Sequence, residues 1–541
     1  MRNSIREYFK KNLSSDRLAE IEKNALNGNT GFSYEIAKIL HDMLSEDGLG
    51  LGILAIPQEY GGLDTGLPAI LSVGEELGRH DLGIATGVLA TMLAAAPVFN
   101  GGTEEQKKRI SEIIRKGGIG ALSATEASGG SSLSSLGTKA GLKDSSYVIN
   151  GGKQWITNAG IADFYVVLAN APGGPSWFII DRDTPGISFG QPAQKHGQNI
   201  SITAGISFDN VKIPKECLLG GIEGNGLRQA SSAFDITRMV VASLALGTGS
   251  AAMEDAVRYA KSRNSGSLLN NEAFVKGLIL PHFARLEAIR QYFAAISNFV
   301  FLPSDNSTSS QNVFGGNFSI SAEAALAKFF AAEECLSSCN AAVQACGGAG
   351  ISRENPFGKR LADCRPLLIY EGADEVLKIS LFRHRWQDYL RSGGNLYSDK
   401  AALIAGPKES GCDIASKSLV ILSYIMGICR KYRLTRDRFI TLKLGEIIAW
   451  MEISAAFSYM VQNGNLNYSR ECEQYLARLF AKEALNRAYS CGLYILSEVS
   501  SEAGSEFSGL LISNLEEISA LLSEEKEDFK NLVEEITSKA I

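Results

Sequence analysis

Residues 344–375 read QACGGAGISRENPFGKRLADCRPLLIYEGADE. A glycine-rich turn (Gly347-Gly348-Ala349-Gly350) opens the stretch, a basic pair (Lys359-Arg360) follows, and an apolar run closes on Tyr370-Glu371-Gly372. A carboxylate that follows apolar residues and precedes a glycine stands at the wall of an apolar site, with backbone able to come close beside it. Burial raises a carboxylate's pKa and makes it a better base. The ordinary reading of an isolated Tyr-Glu-Gly is a solvated loop glutamate, because most carboxylates are exposed.

The chain around this stretch has 541 residues, which allows three to four domains of ~150 residues. Hydrophobic residues make up 45% and charged residues 21%, a balance that suits a large globular core. The net charge of −6, with no basic stripe, argues against a nucleic-acid partner. Nine scattered cysteines form no Cys-x-x-Cys pair, and the start, MRNSIREYFKKN, has no apolar signal core. Free thiols in a reduced, cytoplasmic setting are expected, with no zinc site. The five histidines lie far apart, so no metal is expected. No apolar run is read as approaching the ~20 residues of a membrane span, and no transmembrane segment is expected.

Residues 1–118 read as a helical domain. Ser33–Glu46 and Leu67–Leu77 carry apolar residues at helical spacing, and Thr103 with Gln106 forms a capping box. The alanine-rich segment Leu89–Val98 suits close helix packing or, alternatively, a widened pocket, because small side chains leave room for a ligand's chain. Residues 119–225 read as a β domain, with strands at 147–149, 165–168 and 177–180 and a hairpin turn at Asn150-Gly151. Residues 226–390 return to helical spacing, with a polar loop at 303–309 and a break near Pro281. Residues 391–413 read as a linker. Amphipathic helices at about 414–432, 437–463, 470–497 and 524–539 form a C-terminal extension over 414–541. They carry no chemical motif and read as scaffold or oligomer contact.

Three further stretches carry chemistry. Ala124-Thr125-Glu126-Ala127-Ser128-Gly129-Gly130-Ser131-Ser132 offers backbone N–H groups and hydroxyls, a nest for a flavin edge or a phosphate. Gly152-Lys153-Gln154-Trp155-Ile156-Thr157-Asn158 sets a tryptophan beside a threonine, able to wall a flat ring. Phe234-Asp235-Ile236-Thr237-Arg238 opens a helix with an acid–base pair at i, i+3. The glycine runs at 347–350 and 247–249 are not GxGxxG and lack a strand–helix context, so a dinucleotide-binding βαβ unit is rejected.

Gln344, Gly347, Gly348, Gly350, Glu354, Lys359 and Asp363 resemble one of the two signatures of the acyl-CoA dehydrogenases, and the 124–132 loop resembles the other. The resemblance covers roughly residues 30–390. It implies an α+β architecture: the acyl-CoA dehydrogenase fold of N-terminal helices, central β domain and helical bundle, here with an extra C-terminal helical domain like that of the very-long-chain branch. It implies FAD as cofactor, held at Leu122, Ala124, Thr125, Gly130, Ser131, Trp155, Ile156 and Thr157. Further FAD contacts are implied at Ala373 and Glu375 and, towards the flavin of a neighbouring subunit, at Arg263, Gln344, Gly347 and Gly348. It implies acyl-CoA contacts at Ser131, Phe234, Asp235, Arg238, Tyr370 and Gly372, and Glu371 as the catalytic base. A homodimer is implied, with the extension in place of a second dimer.

The implied reaction is α,β-dehydrogenation of an acyl-CoA to a trans-2-enoyl-CoA, within fatty acid β-oxidation and lipid metabolism. Glu371 takes the α proton, FAD takes the β hydride, and an electron-transfer flavoprotein accepts the electrons. An acyl-CoA oxidase using O2 is the alternative enzyme, and a non-catalytic flavin- or acyl-CoA-binding member the alternative of another class. This sequence departs from the family pattern at Ser132, where an aspartate is usual. It departs also after Arg263, where a phenylalanine is missing, and at Glu272 and Ala373. The last three lie at the adenosine end of FAD.

Overall fold

The computed structural model describes residues 1–28, 31–63, 65–130, 136–262, 274–300, 320–464 and 466–497, with residues 505, 508, 509 and 535. The chain divides into two compact units: Met1–Thr248 with Ala362–Glu371, and Gly249–Leu361 with Gly372–Ile541.

In the first unit, α1 (Arg2–Asn12), α2 (Ser15–Leu26), α3 (Phe32–Leu44), α4 (Gly66–His80), α5 (Leu82–Gly101) and α6 (Glu104–Arg115) come first. α5 is buried from Leu82 to Thr91 and again at Ala94, Ala95, Pro97 and Val98, as expected of a helix apolar on all sides. Asp81 caps it by accepting from the Ile84 N–H at 2.9 Å. The Thr103–Gln106 capping box is present. The close-packing reading of the alanine-rich segment finds a place: Ala94, Ala95 and Val98 pack against the β domain's Phe164, Val166 and Trp177, and Leu89 borders only a small apolar gap described below.

The β domain has strands β1 (Gly120–Ser123), β2 (Lys139–Lys143), β3 (Ser146–Thr157), β4 (Phe164–Ala171), β5 (Gly174–Asp181), β6 (Ile187–Phe189) and β7 (Thr203–Pro214). They form one sheet in the order β1-β4-β2-β3-β7-β6, with β5 paired to β4. Asn150-Gly151 is not a turn, contrary to the sequence reading. β3 runs straight through it, and the register against β7 shifts between Ile149 and Gly151. There the Asn150 side chain accepts from the Asn210 N–H at 2.8 Å, replacing a ladder bond lost at the shift. The β2–β3 hairpin turns instead at Asp144, in the left-handed region at φ 55°.

The chain passes into the second unit within α7 (Gly226–Ser262). The break expected near Pro281 is a π-helical turn at Val275–Ile279 that leads into α8 (Leu280–Val300), where a proline near the first turn lacks no needed donor. Then come α9 (Ile320–Cys346), α10 (Gly348–Ile351), α11 (Pro356–Cys364) and α12 (Asp374–Arg391). The stretch read as a linker is instead ordered: α13 (Leu396–Ile404) buries Leu396, Tyr397 and Lys400. α14 (Cys412–Lys431), α15 (Arg438–Asn463) and α16 (Arg470–Ser497) follow. The polar loop at 303–309 and the helix expected at 524–539 lie outside the described residues, apart from Glu535.

A buried charge network ties α12 to these later helices. Arg385 grips Glu452 through Nε at 2.8 Å and Nη2 at 2.8 Å, and reaches Glu323 at 2.6 Å. Lys400 also meets Glu452, at 2.9 Å. Two cations and two carboxylates thus compensate one another in a dry interior. Around them Trp450 stacks on Phe480, centroids 5.2 Å apart. The apolar stripe of α15, including Ile447, Trp450 and Ile453, is therefore covered within the chain.

Four helices are long and apolar enough to cross a membrane, which corrects the expectation that none would be. They are α5, α7, α14 and α15, and their most apolar windows are 78%, 89%, 61% and 89% buried inside the protein. Their hydrophobicity serves the core.

Candidate active site

The Glu371 region is built on a forced turn. Glu371 has φ +57° and Gly372 φ +103°. A non-glycine residue in the left-handed region costs roughly 1–2 kcal/mol, so such a conformation persists only where its surroundings over-determine it. Within the first unit, α7 supplies two of those constraints. Thr237 Oγ1 donates to Glu371 Oε2 at 2.8 Å, and Arg238 Nε donates to the Glu371 carbonyl at 3.0 Å. One helical turn thus holds both the carboxylate and the main chain behind it. Helical spacing puts Phe234, Thr237 and Arg238 on one face (i, i+3, i+4). Arg238 also meets Asp235 at 3.3 Å and lies over the Phe234 ring, 5.8 Å from its centroid.

Gln198 supplies another constraint, and the sequence reading missed it. Its backbone N–H donates to Asp363 Oδ1, and its amide donates to the Asp363 carbonyl at 2.8 Å and to the Tyr370 hydroxyl at 3.4 Å. Its amide oxygen accepts from Thr86 on α5 at 3.1 Å. The β-domain loop comes so close that a Cβ on Gly197 would sit 2.1 Å from the Ala362 carbonyl. No local pattern marks Gln198, because its partners lie more than a hundred positions away. Thr237 was legible only as a neighbour of Asp235 and Arg238.

Among α4, α5 and α7 the apolar side chains, including Val73, Leu77, Val88, Leu89, Val240 and Leu244, close on a gap of only about 10 Å³.

The expected flavin contacts of the β domain stand on a rigid base. The β3–β7 register shifts again between Lys153 and Ile156, and Trp155 takes φ +60° there. The bulge turns the indole outward, leaving it 59% exposed, whereas Ile156 is buried and offers a ligand only its backbone. Behind it, Lys153 Nζ meets Glu126 Oε1 at 2.7 Å and the Ala124 carbonyl at 3.1 Å. Glu126 also accepts from the Gly137 and Thr138 N–H groups at 2.6 and 3.0 Å. Burial works to raise the Glu126 carboxyl, but the bonds from Lys153 and Thr138 prevail and bring it down to about 2. Burial pulls Lys153 down, and the same pair opposes that. The Gln154 N–H donates to the Thr125 carbonyl at 2.9 Å, so the 124–130 loop and Trp155 are held together. An outward-facing indole beside an open glycine loop, where a Cβ on Gly129 would meet nothing within 4 Å, fits a flat, polar-edged ring such as FAD's. Leu122 on β1 and Thr157 at the end of β3 are half-buried.

Other expected contacts belong to the second unit. Gln344, Gly347 and Gly348 are exposed at the end of α9, and no atom would crowd a Cβ on either glycine. Ala373 precedes α12, and Glu375 is exposed in its first turn. Ser131, Ser132, Arg263 and Glu272 lie outside the described residues.

Three family descriptions match the chain. "Acyl-CoA dehydrogenase, N-terminal domain" matches residues 1–118, the "middle domain" 121–211, and the "C-terminal domain" 224–384. The acyl-CoA dehydrogenase of Bacillus subtilis (strain 168) is 32% identical over 347 residues, 62% of this chain and 86% of that protein. The short-chain-specific acyl-CoA dehydrogenase of Megasphaera elsdenii is 34% identical over 348 residues, 62% of this chain and 87% of that protein. The solved acyl-CoA dehydrogenase of Bacillus anthracis, complexed with FAD, shares the fold at a TM-score of 0.81 and 20% identity, covering 99% of this chain and 93% of that one. The chain belongs to the acyl-CoA dehydrogenase family: it is an oxidoreductase with that family's N-terminal, middle and C-terminal domains and further helices beyond them.

Proposed function

We propose that this enzyme removes the α proton of an acyl-CoA thioester through the Glu371 carboxylate and yields a trans-2-enoyl-CoA. The observation that carries this reading is the Glu371 carboxylate held at 2.8 Å by Thr237 on a strained turn. FAD is the cofactor and, when bound, supplies the hydride acceptor. Leu122, Ala124, Thr125, Gly130, Ser131, Trp155, Ile156 and Thr157 are the residues we assign to its ring and its nearby chain. We assign Arg263, Gln344, Gly347 and Gly348 to the FAD of a second copy, and Ala373 and Glu375 to its adenosine end. The exposure of Gln344, Gly347 and Gly348 supports that homodimeric arrangement.

The chain's own residues do the rest. The thioester carbonyl acidifies the α C–H, and the Glu371 N–H is the donor we assign to the developing negative charge on that oxygen. Thr237 fixes the rotation of the carboxylate, so its basic oxygen is aimed before the substrate arrives. Phe234, Asp235 and Arg238 are assigned to the CoA portion, Tyr370 and Gly372 to the thioester, and the apolar faces of α4, α5 and α7 about Leu89 to the acyl chain, which they must part to admit. The proposal extends to an electron-transfer flavoprotein as acceptor and to fatty acid β-oxidation as the setting. The cytoplasm is the proposed compartment, where free thiols such as those found here, eight of nine buried, persist.

Glu371→Gln keeps shape and removes basicity. Anaerobic single-turnover flavin reduction by an acyl-CoA panel should slow by ~10²–10⁴-fold, with FAD content and acyl-CoA affinity kept. A near-native rate would show that another group is the base. Reoxidation of the reduced enzyme in air, set against reoxidation by an electron-transfer flavoprotein, separates dehydrogenase from oxidase.

A further inference from the structure

α9 carries a lysine where its helix faces only protein. The Lys328 side chain is 0% exposed, and a buried ammonium persists only when paired and hydrogen-bonded. Its Nζ donates at 2.8 Å to Asp374 Oδ1, at the start of α12, and at 2.8 Å to the carbonyl of Gly372. The second Asp374 oxygen, Oδ2, is buried with no hydrogen-bond partner among the described residues. The pair is thus not closed on itself, since the lysine also serves the main chain. The carbonyl it takes belongs to the residue after Glu371, in a turn where both residues have positive φ.

We propose that Lys328 is a positioning residue, whose ammonium, compensated by Asp374, clamps the Gly372 carbonyl and so holds the left-handed Glu371–Gly372 turn that sets the direction of the Glu371 carboxylate. Arg238 holds the carbonyl of Glu371 within the first unit, and Lys328 holds the next carbonyl along the chain within the second. The kinetic part of this proposal rests on Glu371 as the base, whereas the clamp itself does not.

Burial pushes the Asp374 carboxyl up to about 7, and the Lys328 charge opposes that rise. Lys328→Met therefore leaves an acid able to become neutral, and Lys328→Met/Asp374→Leu removes both charges at similar volume. Each variant is compared with the parent holoenzyme for amide hydrogen exchange over residues 366–376, for FAD content and acyl-CoA affinity, and for single-turnover flavin reduction. The expected result for the double variant is exchange at 370–373 faster, and flavin reduction slower, by roughly 10- to 100-fold, the worth of one charged hydrogen bond, with FAD content retained. Native exchange at those amides overturns the clamp. Faster exchange with a native reduction rate overturns its role in aiming the carboxylate. If no acyl-CoA in the panel reduces the flavin of the parent, the reaction reading fails, and accelerated exchange in the variant still upholds the clamp.

Discussion

Thr237 touches the carboxylate, and Arg238 the carbonyl of the same residue. Replacing Thr237 by valine keeps the volume and removes one hydrogen bond to a charged group, worth about 1.5–3 kcal/mol. Single-turnover flavin reduction should fall by about tenfold or more, with acyl-CoA affinity nearly unchanged, because the lost bond orients the carboxylate proposed as the base and not a group assigned to the substrate. Stopped-flow traces at several acyl-CoA concentrations check both halves of that statement. Glu371 was legible because its Tyr-Glu-Gly follows a glycine-rich stretch that resembles a family signature; the apolar run, carboxylate and glycine alone read as an ordinary loop. Gln198, which bonds Asp363 and Tyr370, was not, since nothing within its own neighbourhood signals a partner so distant in sequence. Lys328 reads locally as one polar residue in an alanine-rich helix, and only the fold reveals that it is buried.

The loop 124–130 and strand β3 are joined by the Lys153–Glu126 pair. Removing one partner of a buried pair costs about 3–5 kcal/mol, and Lys153→Met should fall at the low end because two amides still serve Glu126. FAD loss on dilution, followed by absorbance, should be faster in that variant, with the helical second unit's far-UV signal unchanged. The helix α16 carries a different kind of strain. Glu473 is buried, accepts from the Asn467 and Tyr468 N–H groups, and is pushed up to about 8 by burial and then by the Glu287 carboxylate. A raised acid contributes stability that is whole below its ordinary value near 4.5 and is lost as pH climbs to about 8. Glu473→Gln should therefore melt at nearly the native temperature at pH 5 and above it at pH 8.5; an advantage that shrinks with rising pH would refute the sign. Strands and helices were readable at this scale wherever periodicity was strong. Asn150-Gly151 misled because the dipeptide that favours a tight hairpin also tolerates a bulge, and only the pairing of β3 with β7 chooses between them.

The chain's architecture joins a family fold to helices that are wired into it by charge. Cutting the chain after Arg391 would leave Arg385 facing Glu323 without Glu452, and would uncover Phe330, which packs on Trp450 at 4.9 Å. Such a truncation should give aggregated protein by light scattering, and a soluble, monodisperse product would show the later helices to be dispensable. Composition could bound the number of domains, but it could not reveal that residues 391–413 are ordered, because Gly393-Gly394 and Gly406-Pro407 look like linker chemistry until Tyr397 and Lys400 are seen to be buried. Nor could it reveal that the first unit is built from two separated stretches of chain, Met1–Thr248 and Ala362–Glu371. That division has a consequence for the order of manufacture. A ribosome delivers Thr237, Gln198 and Trp155 long before Glu371, and the intervening helices α8, α9 and α11 must emerge first. A nascent chain can complete the β domain's sheet early, yet it lacks the carboxylate proposed as its base until the segment that ends at Glu371 arrives and docks on Gln198 and Thr237. Every product of premature termination before that point is a sheet and a set of helices without the carboxylate to which we assign the proton, so on that proposal catalytic competence comes only after most of the protein has been made.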